Sequence, residues 1–113
     1  EPMRRYVREM TSKVLAEGLP KGTCLNINFP KGGNYAGVKV CRMAYGTWYN
    51  ETEQHHHSRG YDYWWMIGHY RNDEPEAEDT DKWALENGYI AITPTTIDVT
   101  AYEAMDQIKG WNL

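Results

Sequence analysis

Hydrophobic positions along the chain switch between two periods, and each switch marks an element. Met3, Tyr6, Val7, Met10, Val14 and Leu15 recur at three- and four-residue spacing, which lays one stripe along a helix from Met3 to Glu17. Gly18 and Pro20 stop it. After the Lys21-Gly22 turn the period drops to two. Leu25, Ile27 and Phe29 alternate with Asn26 and Asn28, the mark of a strand with one buried face. Pro30 and the turn at 32–34 close it, and a second strand is predicted over 37–43, with Val38 and Val40 on one face.

The middle third is less regular. Residues 46–50 and 61–67 are aromatic and strand-prone, and they are predicted to pair as one long hairpin. Between them, 51–60 carries His55, His56 and His57, read as an exposed loop tip. Such a hairpin leaves Trp and Tyr uncovered unless another surface meets it. Residues 72–81 hold six carboxylates and one Pro and predict a solvated loop. Thr80 or Asp79 then caps a short helix through Asn87, with Trp83 and Leu85 available for packing and Gly88 to stop it.

The stretch from Gly88 to Glu103 is the one around which the rest is organised. Tyr89, Ile90 and Ile92 begin a strand, and Pro94 is predicted to end its pairing because it has no N–H for a ladder. A short extended piece, 95–99, leads to a final helix opened by a capping box of Thr100 and Glu103. The fold class is α/β. The chain divides into 1–43 (helix and core strands), 44–70 (aromatic hairpin) and 71–113 (acidic loop, short helix, strand and C-terminal helix).

Composition narrows this reading. The 113 residues leave room for one domain, burying roughly two-thirds of the unfolded surface if it folds alone. Nine Tyr and five Trp against one Phe favour half-buried surfaces and interfaces over a dry core. A net charge of −4 repels nucleic acid, and the one basic cluster, Arg4, Arg5 and Arg8, reads as the wet face of a helix. Cys24 and Cys41 sit in predicted strands and read as small buried hydrophobes, with a single buried disulfide as the alternative. There is no signal-peptide pattern and no apolar run near the length of a membrane span, so the expected location is cytoplasmic. The chain opens Glu1-Pro2 and enters a helix almost at once, which suggests a piece of something longer.

Candidate chemistry is sparse. Neighbouring side chains on an extended chain point to opposite faces, so His55, His56 and His57 cannot easily hold one ion. Asp73, Glu74, Glu76, Glu78, Asp79 and Asp81 offer hard oxygens but lack the Asp/Asn/Gly rhythm of a calcium loop. Trp64-Trp65 suits a covered hairpin or subunit contact, with stacking on sugars or bases as the alternative. No Ser-His-Asp order, phosphate-cradling Gly loop or Cys-His pair is present.

Longer motifs add to this. GTCLNINFP (22–30) resembles the G-T-x-L-N-x-N-x-P signature of the stationary-phase survival protein family, the SurE nucleotidases. DTDKWALENGYIAITPTTIDVTAYEA (79–104) resembles that family's closing segment, G-T-D, then A-x-x-x-G-Y-x-S-(I/V)-T-P, then D-x-T-A. Between them GVKVCRM (37–43) is similar to the family's next strand, and Ser58-Arg59-Gly60 with Tyr63-Trp64 is similar to its P-R-G…Y-W hairpin. The order is right from about residue 19 to 104.

The resemblance implies the C-terminal part of a Rossmann-like three-layer α/β/α fold, with a protruding β-hairpin and an exchanged C-terminal element that build dimers and tetramers. It implies a metal-dependent phosphatase acting on nucleoside 5′- and 3′-monophosphates. The family's metal ligands are two adjacent Asp, a Ser and an Asn, all in the N-terminal half and without counterparts here. Mg or Mn is therefore expected in the parent protein, with none bound by this segment. The segment is expected to complete the sheet, to meet the N-terminal half, and to self-associate through Tyr61, Tyr63, Trp64 and Trp65. Alone it is expected to be inactive. Some members carry a His at the place of Thr96 that could serve as a general acid; Thr cannot do so at neutral pH, which leaves Thr96 as a pocket position only. Asp79-Thr80-Asp81 stands where the family has G-T-D, keeping the cap but not the Gly. The competing readings are a freestanding protein-interaction module and an aromatic carbohydrate-binding domain, without nucleic-acid or membrane partners.

Overall fold

The computed structural model describes residues 2–111. Its elements are α1 (Pro2–Glu17), β1 (Thr23–Asn28), β2 (Gly37–Val40), β3 (Gly46–Tyr49), β4 (Thr52–His56), β5 (Asp62–Met66), β6 (His69–Asn72), α2 (Asp81–Glu86), β7 (Tyr89–Thr96) and α3 (Tyr102–Lys109). One sheet has the order β1-β7-β2, and two two-stranded ladders, β3-β6 and β4-β5, make a long arm. The chain divides into two units: residues 2–26 with 94–111, and Ile27–Thr93. No helix among the described residues is long and apolar enough to cross a membrane.

In the first unit, α1 begins on a Pro, whose missing N–H is one that the first turn leaves unbonded in any case. Tyr6, Met10 and Val14, four residues apart, are its half-buried stripe, while Met3, Val7 and Leu15 are exposed. Gly18 takes φ 74° and returns its N–H to the Val14 carbonyl at 2.9 Å, which closes the helix. Along β1, Leu25 and Ile27 turn inward as the alternation requires. The same alternation turns Cys24 outward. It is not the buried hydrophobe expected: its Sγ lies 2.9 Å from the Thr95 hydroxyl, and both cysteines are free thiols.

The start of the last helix also differs from its prediction. Helix α3 begins at Tyr102, with Ala101 at the cap position and no side-chain cap bond, so Thr100 and Glu103 do not form a capping box. Asp98 takes over the corner instead. Its Oδ1 receives the Thr100 N–H at 2.9 Å, and its Oδ2 receives the Tyr102 hydroxyl. A short carboxylate that bonds backbone two residues on is an Asx turn, and it competes with the Thr cap for the same stretch of chain.

In the second unit, β2 pairs in parallel with β7, Gly37 opposite Tyr89 and Val40 opposite Ile92. Ile90 and Ala91 are fully buried, and Cys41, Ala84 and Ala91 form the core with Leu85 and Tyr89 packed beside them. Ala at 84 and 91 lets α2 sit close to the strand. Val38 and Val40 do share a face, but it is the exposed one, with Val40 73% accessible. The strand also ends earlier than expected, because Arg42 leaves β7 and makes a parallel bridge with Thr80 instead.

Pro94 does not end β7, which continues unbroken to Thr96. A residue's N–H and C=O point to one side of a strand, and the sides alternate along it. The Ile92 carbonyl accepts from Cys41 on the β2 side, so Pro94 has the same orientation. Pairing with β2 stops at Ile92, which leaves no ladder bond for Pro94 to lose.

Candidate functional site

Three features of the second unit concentrate chemistry: a salt-bridged node at Arg42, a cleft above it, and the aromatic arm. The node is built by two chain segments that cross in register. Arg42 donates its backbone N–H to Asp79 at 3.1 Å, and its carbonyl receives Asp81 N–H at 2.9 Å. Its guanidinium then meets Glu74 through two bonds of 2.8 Å, from Nη1 to Oε2 and from Nη2 to Oε1, and Nε reaches Asp79 at 2.8 Å. Glu74 also receives the Tyr45 N–H at 2.7 Å. The Arg42 fork and then the Tyr45 amide hold the Glu74 carboxyl down at about 2. Asp81 accepts from the Ala44 N–H at 3.0 Å, and Asp73 lies below its ordinary range because of Arg71 and then Thr47. The acidic stretch is the mostly exposed loop expected, but one pinned in place by hydrogen bonds. Four of its six carboxylates, those of Asp73, Glu74, Asp79 and Asp81, are hydrogen-bonded.

Thr80 caps α2 as its sequence position implied. Its side chain is fully buried, donates to the Ala77 carbonyl at 2.8 Å and accepts from Trp83 N–H at 3.3 Å. Gly88 at φ 80° turns the chain from α2 into β7.

Beside the node lies a cleft of about 490 Å³, lined by residues that include Tyr45, Trp48, Tyr70, Asp81 and Lys82. The rings of Trp48 and Tyr70 meet edge-on, centroids 5.5 Å apart and planes at 62°. The Lys82 ammonium stands 4.8 Å above the Tyr70 ring. Gly46 is required for this packing, since a Cβ there would fall 2.2 Å from the Tyr70 hydroxyl. Burial, followed by the charges of Asp81, Asp73 and Glu74, raises the Tyr70 phenol above its ordinary value.

The arm pairs differently from the prediction. Residues 61–67 do not face 46–50. Gly46–Tyr49 pairs with His69–Asn72, and Thr52–His56 with Asp62–Met66. The two ladders meet where Asn50 adopts φ 50° and Ile67 N–H reaches Glu51 at 2.9 Å. The tip is a turn in which Gly60 N–H bonds the His57 carbonyl and His57 N–H bonds Tyr61. His55 and His56 are thus strand residues, and of the three only His57 lies at the tip.

Strand alternation separates the four residues expected at an interface. Tyr61, Tyr63 and Trp65 share one face with His55 and His57, where His57 stacks on Tyr61 at 4.5 Å and His55 lies 5.5 Å from Tyr63 and 5.2 Å from Trp65. Trp64 lies on the opposite face between Asp62 and Met66, the latter 91% exposed. On that side His56 Nδ1 is 2.7 Å from Asp62. Thr96 is exposed at the end of β7, and its hydroxyl donates to the Asp98 carbonyl at 3.2 Å. The Asp98 carboxyl is lowered to about 2, first by the Thr100 hydroxyl and then by Tyr102.

Among the described residues no three His, Cys, Asp or Glu are grouped to hold a metal ion. The carboxylates nearest to one another are already engaged by Arg42 or by backbone amides. The residues that sequence reasoning passed over are Arg42, Trp48 and Asp98. An Arg directly following an apolar strand, with an acidic run downstream, was the available signal for the first.

No family model matches the chain. It is 53% identical over 108 residues to the 5′-nucleotidase SurE of Phocaeicola vulgatus, covering 96% of this chain and 42% of that protein. It is 47% identical over 111 residues to the protein of the same name from Bacteroides thetaiotaomicron, covering 98% and 43%. The crystal structure of the SurE protein from Aquifex aeolicus superposes with a TM-score of 0.64 at 30% identity, covering 96% of this chain and 44% of that one. The chain belongs to the SurE family and has the α/β fold of its C-terminal portion. It spans somewhat under half the length of the curated relatives it matches.

Proposed function

We propose that this chain is the C-terminal part of a metal-dependent 5′/3′-nucleotidase that releases phosphate from nucleoside monophosphates in the cytoplasm. The observation that carries the reading is the 53% identity to a 5′-nucleotidase SurE across 96% of the chain. The divalent ion, Mg or Mn, belongs in this reading to the upstream part. The described residues of this segment do not fit it, because no three potential ligands are grouped and Asp73, Glu74, Asp79 and Asp81 are tied to Arg71, Arg42 and backbone amides. The segment alone is accordingly inactive as a phosphatase. Its contributions are to complete the sheet, to self-associate through the arm, and to lend Thr96 to the border of a pocket. Exposed Val38 and Val40 on an edge strand support the first of these, since parallel sheets are normally covered on both faces. The uncovered Tyr61, Trp64 and Trp65 support the second.

The test uses the full-length protein and this segment side by side, with Mn²⁺ or Mg²⁺ and a nucleoside monophosphate. Phosphate release by the full-length protein and none by the segment is expected. Turnover by the segment alone would overturn its assigned role, and no turnover by the full-length protein would overturn the nucleotidase reading.

A further inference from the structure

We propose that the cleft between the base of the arm and the start of α2 is the subsite for the nucleobase of a nucleoside monophosphate, an assignment that rests on the nucleotidase reading above. At about 490 Å³ the cleft falls within the roughly 300–1,000 Å³ of ordinary small-molecule sites. One wall is aromatic. Tyr70 is held by its fit against Gly46, and its edge-on contact with Trp48 fixes the indole at 5.5 Å. Trp48 lines the cleft and remains 58% exposed, which leaves indole surface for stacking. Stacking on such a ring suits any base, since every base has a π-face.

Against the Tyr70 ring the cleft also supplies polarity of two signs. Asp81 and Lys82 are consecutive in the first turn of α2. Asp81 uses Oδ1 for Ala44, which leaves Oδ2 able to receive a ring N–H or amino group. Among the described residues no carboxylate lies within 4.0 Å of the Lys82 ammonium, which is therefore able to donate to a ring nitrogen or carbonyl. A donor and an acceptor side by side match the edge of a base, which presents both. They do not match a phosphate, which the Asp81 carboxylate would repel. The chemistry selects the base end of the substrate.

The test compares a nucleoside monophosphate with ribose 5-phosphate, which keeps the sugar and phosphate and lacks the base, using the full-length protein with Mn²⁺. The measured quantity is the ratio of kcat/KM for AMP to that for ribose 5-phosphate. Trp48→Ala is expected to lower this ratio about tenfold, the size of one lost base stack. Trp48→Phe, which keeps a ring, is expected to restore most of it, and Lys82→Ala to lower it in the same direction. A Trp48→Ala ratio equal to that of the parent sequence would overturn the assignment while leaving the nucleotidase reading intact. Failure of the unsubstituted protein to hydrolyse either ester would remove both.

Discussion

Arg42 and Glu74, thirty-two positions apart in the chain, meet through two parallel hydrogen bonds of 2.8 Å each. A planar guanidinium matches a carboxylate in this way and a lysine cannot. The contact ties the end of the strand containing β2 to the foot of the arm, because Glu74 also binds the Tyr45 amide. A pH dependence follows. The Glu74 carboxyl is depressed from 4.5 to about 2, so its contribution is present above about pH 4.5 and is lost as pH falls toward 2. Asp98, lowered from 3.8 to about 2, contributes with the same sign. Thermal unfolding measured from pH 6 to pH 2 is expected to show falling Tm, with a shallower fall in Glu74→Gln. Identical slopes would exclude Glu74 as a source.

Thr80 is fully buried and satisfies both its own hydroxyl and the Trp83 amide. Thr80→Ala strands that N–H at the end of a short helix. The expected loss is about 1–2 kcal/mol, measured by urea denaturation. Thr80→Ser, which keeps the oxygen, is expected to lose less.

Ile90 fills the centre of β7 with no accessible surface. Truncation to Ala removes three carbons from a packed site, at a cost of about 2–5 kcal/mol. Ile90→Val is expected to cost about 0.5–1.5 kcal/mol in the same assay. A cost for Ala no larger than for Val would mean that the site collapses around the smaller residue.

The two faces of the arm give the proposed self-association an internal control. Tyr61, Tyr63 and Trp65 form a continuous face with two imidazoles, whereas Trp64 stands on the other. Sedimentation of a Tyr61→Ser, Trp65→Ser double variant is expected to shift toward the smallest species at fixed concentration. Trp64→Ser is expected to shift it less. Equal effects would mean that both faces are covered in the assembly.

Local signals were the legible part of this molecule. The alternation of Leu25 and Ile27, the Thr80 cap and the stop at Gly88 each depend on residues within a few positions of one another, and each formed as read, while the α1 stripe narrowed to Tyr6, Met10 and Val14. Partner choice was harder. The hairpin register depends on which of two polar-flanked stretches faces Tyr61 to Ile67, and Thr52–His56 carries no aliphatic pattern to announce itself. The pinning of the acidic run was hidden because Arg42, which binds Glu74 and Asp79, is more than thirty residues away. At Thr100 two local signals competed, and the nearer carboxylate of Asp98 prevailed. The cleft was the least visible feature, since Trp48, Tyr70 and Lys82 converge only after the arm has paired.

At the foot of the arm, Asp73 N–H bonds the Tyr45 carbonyl at 3.0 Å, so the excursion from 46 to 72 leaves and returns through one point. The inner rungs still touch α2, where Lys82 stands over Tyr70, whereas the outer ladder β4-β5 is a separate two-stranded sheet. The arm is consequently modular: rungs can be added or removed in pairs at its far end, changing how far it reaches while the sheet remains unaware of the difference. The length of the arm is in this way separable from the fold that carries it.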